Sequence, residues 1–142
     1  MIDALRFSMY NEDPNDVKKI ILNYIANKDL HNKITFCKSS YIEDDEQFDK
    51  FAYLLQCKVK DINYRDLLKA IGNQDMGVRP SFGDYVFFIN MNNNIVYHLY
   101  DDRGLDLVSS EISSLELIYF KYGDWILDYD RKRIDKTFSK SY

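Results

Sequence analysis

The chain has 142 residues, of which 46% are hydrophobic and 30% are charged, with a net charge of −4 at pH 7. An ordinary hydrophobic share with well-mixed charge excludes a disordered or collagen-like chain and is typical of one globular domain over residues 1–142. We expect a cytoplasmic location, because no apolar run approaches the roughly 18–20 residues that span a bilayer and Met1–Tyr10 lacks a signal-peptide pattern.

The pattern of the first half predicts mostly helix. Asp13-Pro14 resembles a helix N-cap followed by Pro at the first helical position, and apolar residues then recur at helical spacing, which predicts a helix over about 14–28. Residues 34–42 fit a strand. Asp45 is a candidate cap for a second helix, whose apolar stripe consists of Phe48, Phe51, Ala52 and Leu55. Asn63 is a candidate cap for a third helix, which Gly72 ends.

After residue 82 the pattern changes to that of a β-meander. Residues 84–89 and 95–100 are β-branched and aromatic runs, and the Asn-rich segment 90–94 between them is typical of a hairpin connection. The segment 101–104, Asp-Asp-Arg-Gly, predicts a second turn in which Gly104 takes a left-handed conformation. Residues 105–108 then return as the third antiparallel strand.

Two helices are predicted to follow the meander. Ser113 and Glu116 have the spacing of a capping box, and Gly123 is expected to stop that helix. Asp128 is a candidate cap for the last helix. The sequence therefore predicts an α+β fold with a helical N-terminal half, a three-stranded antiparallel meander and C-terminal helices packed on the sheet.

Candidate acid-base groups are sparse, since the chain has only two histidines. His31 lies in a polar stretch and is interpreted as a surface residue. His98 lies in the middle of a predicted strand, where we favour a histidine bonded to a neighbour over a catalytic base.

Neither the cysteines nor the glycines form a known site pattern. Cys37 and Cys57 are twenty positions apart, so we expect free thiols, both buried, rather than a disulfide or metal pair. The five glycines form no phosphate-binding loop. We therefore predict no metal and no cofactor.

Carboxylates are the remaining candidates for a functional surface. One acidic group comprises Glu43, Asp44, Asp45 and Glu46, and a second comprises Asp101 and Asp102 with Asp84. Acids at a helix N-terminus and in turns also have purely structural explanations. The functional alternative is a surface that imitates phosphates for a basic partner. A pI of about 5.1 without a basic stripe argues against direct nucleic-acid binding.

A third group combines acids with aromatic residues. Asp124, Asp128 and Asp130 flank Trp125 and Tyr129, which is a composition found at protein interfaces. Trp125 can equally anchor the core between two helices, and we favour the core.

Two C-terminal motifs carry a resemblance. The segments YDDRG at 100–104 and WILDYDR at 125–131 resemble a widespread bacterial domain family of unknown function, over about residues 80–138. Some members of that family resemble immunity proteins of bacterial toxin systems, including contact-dependent growth inhibition. The resemblance implies an α+β domain and a toxin-neutralising role. In this interpretation Arg103, Gly104, Trp125, Asp128 and Asp130 are structural, with Arg103 bridging to Asp128 or Asp130.

The leading prediction is a binding protein that blocks a cognate toxin, plausibly a basic nuclease, with acidic and aromatic residues. One alternative is a small hydrolytic or metal-assisted enzyme that uses carboxylates and His98. Another is a non-catalytic adaptor domain that dimerises through an exposed strand edge.

Overall fold

The computed structural model describes residues 4–10, 14–43, 46–83 and 85–139. The strands are β1 (Ala4–Tyr10), β2 (Thr35–Glu43), β3 (Glu46–Leu55), β4 (Tyr85–Asn90), β5 (Ile95–Leu99) and β6 (Leu105–Ser109). They form one antiparallel sheet in the order β2-β3-β1-β4-β5-β6. The helices are α1 (Pro14–Leu22), α2 (Tyr64–Asn73), α3 (Ile112–Tyr122) and α4 (Asp128–Phe138), with short 3₁₀ turns at Lys28–Lys33, Val59–Asp61 and Gly123–Trp125. The α+β fold class is confirmed.

The N-terminal half contains three strands, so the expectation of a mostly helical half is wrong. β1, which was not predicted as a strand, lies in the middle of the sheet between β3 and β4. The segment predicted as the second helix is β3, which pairs with β2 on one side and β1 on the other. Residues 51–55 are a continuous apolar run, in which Ala52, Tyr53 and Leu55 are buried. Pairing on both edges satisfies the β3 backbone and overrides the helical spacing.

Helix α1 begins at Pro14 as predicted but ends at Leu22, six residues early. The chain then forms an isolated bridge between Ile25 and Ile62, and the amide of Asn63 donates to the carbonyl of Tyr24 at 2.8 Å. Buried Ile25 and Ile62 favour this pairing over another helical turn.

Helix α2 confirms the third predicted helix. Asn63 is its N-cap residue, although its side chain makes no capping hydrogen bond, and Gly72 lies inside the helix, which ends at Asn73. Leu67, Ala70 and Ile71 are buried, as their helical spacing requires.

The predicted meander is confirmed as β4, β5 and β6. The β4–β5 connection ends at Asn94, which has a φ of 52°. Asparagine tolerates this left-handed conformation better than most residues.

The two C-terminal helices form close to their predicted positions, but their caps differ. Glu111, not Ser113, is the N-cap of α3, and no side-chain capping bond forms there. Leu127 is the N-cap of α4, so Asp128 is its first helical residue. Gly123 directly follows α3, as predicted.

The core lies between helices α1 and α2 and one face of the sheet. Its largest fully buried side chains come from both layers and are Val17, Ile21, Leu55, Leu67 and Val86. Neither α3 nor α4 contains a buried residue. The C-terminal helices pack beside the sheet as predicted, since α3 contacts β6 and α4 contacts α3, but they are buried less deeply than α1 and α2. Among the described residues, no helix has the length and apolarity needed to cross a bilayer.

Candidate functional site

The β5–β6 turn is organised by the carboxylate of Asp101. Its Oδ1 accepts hydrogen bonds from the backbone amides of Arg103 at 2.7 Å and Gly104 at 2.9 Å. Its Oδ2 accepts a hydrogen bond from Nη2 of Arg103 at 2.6 Å. Although burial alone would raise it, these hydrogen bonds hold the pKa of Asp101 below its ordinary value. The Asp101 side chain is only 12% exposed. Asp101 therefore stabilises the turn and is poorly placed to meet a partner.

Three carboxylates and one guanidinium converge beside this turn. Asp75, which follows α2, lies 3.3 Å from Nη2 of Arg103, and Asp102 lies 3.8 Å from its Nε. Oxygens of Asp75, Asp101 and Asp102 lie within 4.8 Å of one another, a spacing that can also hold a metal ion. The Arg103 guanidinium already neutralises part of their charge. Asp75 has no local sequence signal that connects it to this site, because it lies 26 positions before Asp101 in the chain.

Gly104 is required by a close approach and not by its conformation. The one described glycine with a positive φ is Gly77, so the left-handed prediction for Gly104 is wrong. A Cβ at Gly104 would lie 2.7 Å from Cζ of Tyr100, which packs across the turn. A larger residue at this position would displace the half-exposed ring of Tyr100.

The register brings the predicted acidic groups to one end of the sheet. β3 and β4 both run antiparallel to β1, and Ser8 of β1 pairs with Ala52 of β3 and with Tyr85 of β4. The start of β3, which follows the β2–β3 turn, and the start of β4 therefore lie at the same end of the sheet. The β5–β6 turn lies at the same end, because β5 runs antiparallel to β4. We call this edge, with the β2–β3 and β5–β6 turns, the acidic end.

The acidic residues at this end do not form one cluster. Glu43 and Glu46 pair across the tip of the β2–β3 hairpin, which replaces the helix N-terminus expected there. Asp44, Asp45 and Asp84 lie outside the described residues. Three strand spacings of about 4.8 Å separate β3 from β5, so the two turns are roughly 15 Å or more apart. The two turns therefore lie at the same end of the sheet but apart from each other.

Two half-exposed tyrosines accompany the acids at this end. Tyr85 begins β4 and Tyr100 follows β5, and both rings contact the ring of His98, with centroids 5.7 and 6.0 Å away. The acidic end therefore combines carboxylates with amphipathic aromatic side chains.

His98 lies on the sheet face opposite the core and is enclosed by aromatic rings. It stacks on Phe87 with ring centroids 4.4 Å apart, and its Nε2 is buried without a hydrogen-bond partner. Burial lowers the pKa of His98. The carboxylate of Asp106, the residue of β6 that pairs with His98, has the opposite and smaller effect. We interpreted His98 as hydrogen-bonded to a neighbour, and for its Nε2 atom this interpretation is wrong.

The second histidine, His31, is half-buried, with Nε2 3.2 Å from the carbonyl oxygen of Ile25.

An open apolar groove lies on the other face of the sheet. It encloses about 440 Å³ between α2 and strands β4 and β5, and its walls include Tyr64, Leu68, Phe88 and Tyr97. His98 follows Tyr97 in the strand and points to the opposite face. The groove and the histidine are therefore separate features.

Trp125 is on the surface, so the prediction of a core anchor is wrong. Its side chain is 76% exposed and contacts Tyr122, with ring centroids 5.7 Å apart. Tyr129 is 95% exposed. The tryptophan lies in a short 3₁₀ turn after α3, where no second layer covers it.

The predicted bridge from Arg103 to Asp128 or Asp130 does not form. Arg103 binds the acids of its own turn and Asp75, whereas Asp130 pairs with Arg133 at 2.8 Å. The arginine that fixes the C-terminal region is Arg131, whose Nη2 donates to the carbonyls of Gly123 and Ile126 at 2.9 and 3.0 Å.

The free-thiol prediction is confirmed, but the two cysteines differ. Cys37 is exposed on edge strand β2, so the expectation that it is buried is wrong. Cys57 is buried after β3, and burial raises the pKa of its thiol to about 11.

These features define the class of protein: a small α+β domain with one six-stranded antiparallel sheet and an Asp-rich turn closed by its own arginine. The chain belongs to the family described as Domain of unknown function (DUF3885), whose model matches residues 4–130. The match includes the N-terminal half, well beyond the segment 80–138 that carries the motif resemblance.

A relative is known from Bacillus subtilis (strain 168). The chain is similar to "Uncharacterized protein YnaE", with 34% identity over 94 residues, which cover 62% of this chain and 44% of the relative. The matched part thus spans less than half of that protein. No solved structure matches the chain significantly.

Proposed function

We propose that this protein is an immunity factor that binds a cognate bacterial toxin, a basic nuclease domain, and covers its active-site surface. The observation that carries the proposal is the acidic end, where the sheet register gathers two acidic turns that are far apart in sequence. A nuclease presents positive charge to phosphates, and carboxylates on a rigid sheet can take the place of those phosphates. The family resemblance to immunity proteins points the same way.

The chemistry of the acidic end suits recognition. The Asp75 and Asp102 side chains are partly exposed, so they can meet a cation, whereas Asp101 is engaged in the turn. The half-exposed rings of Tyr85 and Tyr100 supply contact area at low entropic cost. Long-range attraction between the net negative chain and a basic partner would accelerate their encounter.

The geometry supports an enzyme less well than a binding protein. A general base must reach the proton it removes, and Nε2 of His98 is buried among aromatic rings. The apolar groove contains neither His98 nor a carboxylate among its lining residues.

The test is co-expression with the polypeptide encoded immediately upstream, followed by purification and titration of that polypeptide's toxicity and nuclease activity. We expect a stoichiometric complex and loss of activity. Absence of both complex and protection would refute the proposal and make the enzyme alternative the next to examine.

A charge variant tests the surface itself. Asp44, Asp45 and Asp102 changed together to Asn should lower the association rate about tenfold at low salt and weaken its salt dependence. Asp101 stays unchanged because it supports the turn. Glu111→Gln is the matched control, since this exposed acid follows β6 at the opposite end of the sheet. Equal association rates for both variants would refute the acidic end as the docking surface.

A further inference from the structure

The apolar groove beside α2 has the size of a small-molecule site. Its volume of about 440 Å³ falls in the lower part of the range of roughly 300–1,000 Å³ that is typical of ligand pockets. Val59, Leu68, Phe88 and Ile95 line it with apolar side chains. The ring of Phe88 packs edge-on against the ring of Tyr97, with centroids 5.7 Å apart, and both rings belong to the core or pack against it. The packed core therefore supports the groove.

Two tyrosine hydroxyls supply hydrogen-bond donors among these apolar walls. The hydroxyl of Tyr64 accepts a hydrogen bond from Nε of Arg65 at 3.3 Å, and its own proton remains available to donate. Burial raises the pKa of Tyr97, and its hydroxyl has no hydrogen-bond partner among the residues that the structure describes. A ligand with an acceptor group can therefore bind donors that the protein leaves unused.

A cation is held at the rim of the groove. The guanidinium carbon of Arg65 lies 5.9 Å from the centre of the Tyr64 ring, on the same wall as the hydrogen bond between these two side chains. Arg65 forms no ion pair with any carboxylate that the structure describes, and the Tyr64 hydroxyl is what raises its pKa. A positioned guanidinium without an acidic partner is suited to bind the carboxylate of a ligand.

The charges on the helical side of the groove favour an anion. From 58 to 69 the chain has two acids and four bases, and the bases are Lys58, Lys60, Arg65 and Lys69. The carboxylate of Asp61 already accepts hydrogen bonds from the amide of Lys58 and the side chain of Asn27. Asp66 lies two positions from Tyr64 and two from Leu68, which places it on a different side of α2 from the groove.

The strand side of the groove adds no acid to oppose an anion. Residues 88–97 contain no charged side chain. On the neighbouring strand β6, Asp106 points to the opposite face of the sheet, and Glu111 lies beyond the end of the strand. The acids of the β5–β6 turn lie near the other end of α2, where a Cβ at Gly72 would be 3.9 Å from Cα of Asp102. A carboxylate is therefore attracted to the start of α2 and repelled from its end.

We propose that this groove binds a medium-chain fatty acid or a similar amphipathic carboxylate. The acyl chain lies between α2 and strands β4 and β5, and the carboxylate binds Arg65 and the hydroxyl of Tyr64. Asn90 and Ile95, which line the groove, flank the β4–β5 turn at the end of the sheet opposite the acidic end. The inference therefore goes beyond the proposed function and does not depend on it.

The experiment is a titration of the full chain with dodecanoate below its micelle concentration, followed by calorimetry and by amide NMR spectra. We expect one dodecanoate per chain, with shifted amides concentrated at the groove, for example at Leu68 and Ile95. Octanoate should bind more weakly, because it buries fewer methylene groups. Dodecyltrimethylammonium has the same tail with the opposite charge and should bind about tenfold more weakly than dodecanoate.

Two arginine variants separate the rim cation from the net charge of the chain. Arg65→Gln should weaken dodecanoate binding about tenfold and should not weaken binding of dodecyltrimethylammonium, because only the carboxylate interacts with the guanidinium. Arg79→Gln is the matched control. It removes the same charge from an exposed side chain outside the groove and should keep the wild-type affinity for dodecanoate.

Three results would overturn the inference. The first is no binding of dodecanoate below its micelle concentration. The second is equal affinity for dodecanoate and dodecyltrimethylammonium, or an Arg65→Gln variant with wild-type affinity for dodecanoate, because the rim cation then has no role. The third is a set of shifted amides outside the groove, for example on α3, because the ligand then binds elsewhere.

Discussion

The two pairs of helices in this protein contain similar apolar residues but bury them to different extents. Helices α1 and α2 each bury two or three apolar residues fully against one face of the sheet, whereas no residue of α3 or α4 is fully buried. In α2 the apolar residues form one stripe, so a single packed face covers them. In α3 they surround much of the helix, so packing on one side leaves Leu117 and Phe120 in water. Hydrophobic content alone therefore does not identify the core.

The largest expected effect separates these two helical regions with the same substitution. Leu67→Ala should reduce the free energy of unfolding by about 2–5 kcal/mol, because it leaves a cavity in a fully buried site. Leu117→Ala, at a mostly exposed site, should change it by no more than about 0.5 kcal/mol. Urea unfolding measures both. Similar losses for the two variants would mean that α3 is covered in the monomer.

A second pair of variants compares the glycine of the acidic turn with the glycine of the C-terminal turn. Gly104→Ala should cost about 0.5–1.5 kcal/mol, because the new Cβ forces the half-exposed ring of Tyr100 out of its preferred position. Gly123→Ala meets no atom within 4 Å and has an ordinary helical backbone, so its stability should stay within about 0.5 kcal/mol of wild type. Thermal melts of both proteins test the difference, and an undisturbed Gly104→Ala variant would contradict the close packing described here.

The smallest expected effect concerns pH and the sheet face opposite the core. Burial lowers the pKa of His98 below 6.5 in the folded chain, so the unfolded chain binds more protons as the pH falls below that value. Stability should therefore decline between about pH 7 and 5, with uptake of at most one proton on unfolding by this group. The decline levels off below the folded-state pKa.

His98→Phe keeps an aromatic ring against Phe87 and removes the titration. Urea midpoints measured across this pH range should fall less steeply for the variant than for the wild type. Among the described residues, the other ionisable groups around this site are Asp106, Tyr85, Tyr100 and Arg133, and they are present in both proteins. Identical pH profiles would show that His98 is not shielded from water.

Local sequence signals identified the elements that depend on neighbouring residues. Pro14 marked the start of α1, Asn63 the start of α2, and the Asn-rich loop the β4–β5 hairpin. β3 was misassigned because a short apolar run satisfies both helical and strand spacing, and only its partners β2 and β1 decide between them. β1 was not predicted either, because its pairing with β3 and β4 in the middle of the sheet is what makes it a strand.

The candidate site was recognised in part from its residues. Asp101, Asp102 and Arg103 were identified as a turn, and their hydrogen bonds confirm it. Asp75 joins them only because α2 ends beside the β5–β6 turn. The surface position of Trp125 also had no sequence signal, since a lone tryptophan among acids fits a core or an interface equally well.

The sequence by itself determined the α+β class, the meander, the C-terminal helices and the Asp-rich turn, because each follows from local propensities and hydrogen bonds between close neighbours. The tertiary structure alone decided which face of the sheet becomes the core, which acids share one end of it, and which apolar side chains remain in water. Those outcomes depend on contacts between segments far apart in the chain, whose free energies exceed the local preferences of any single segment.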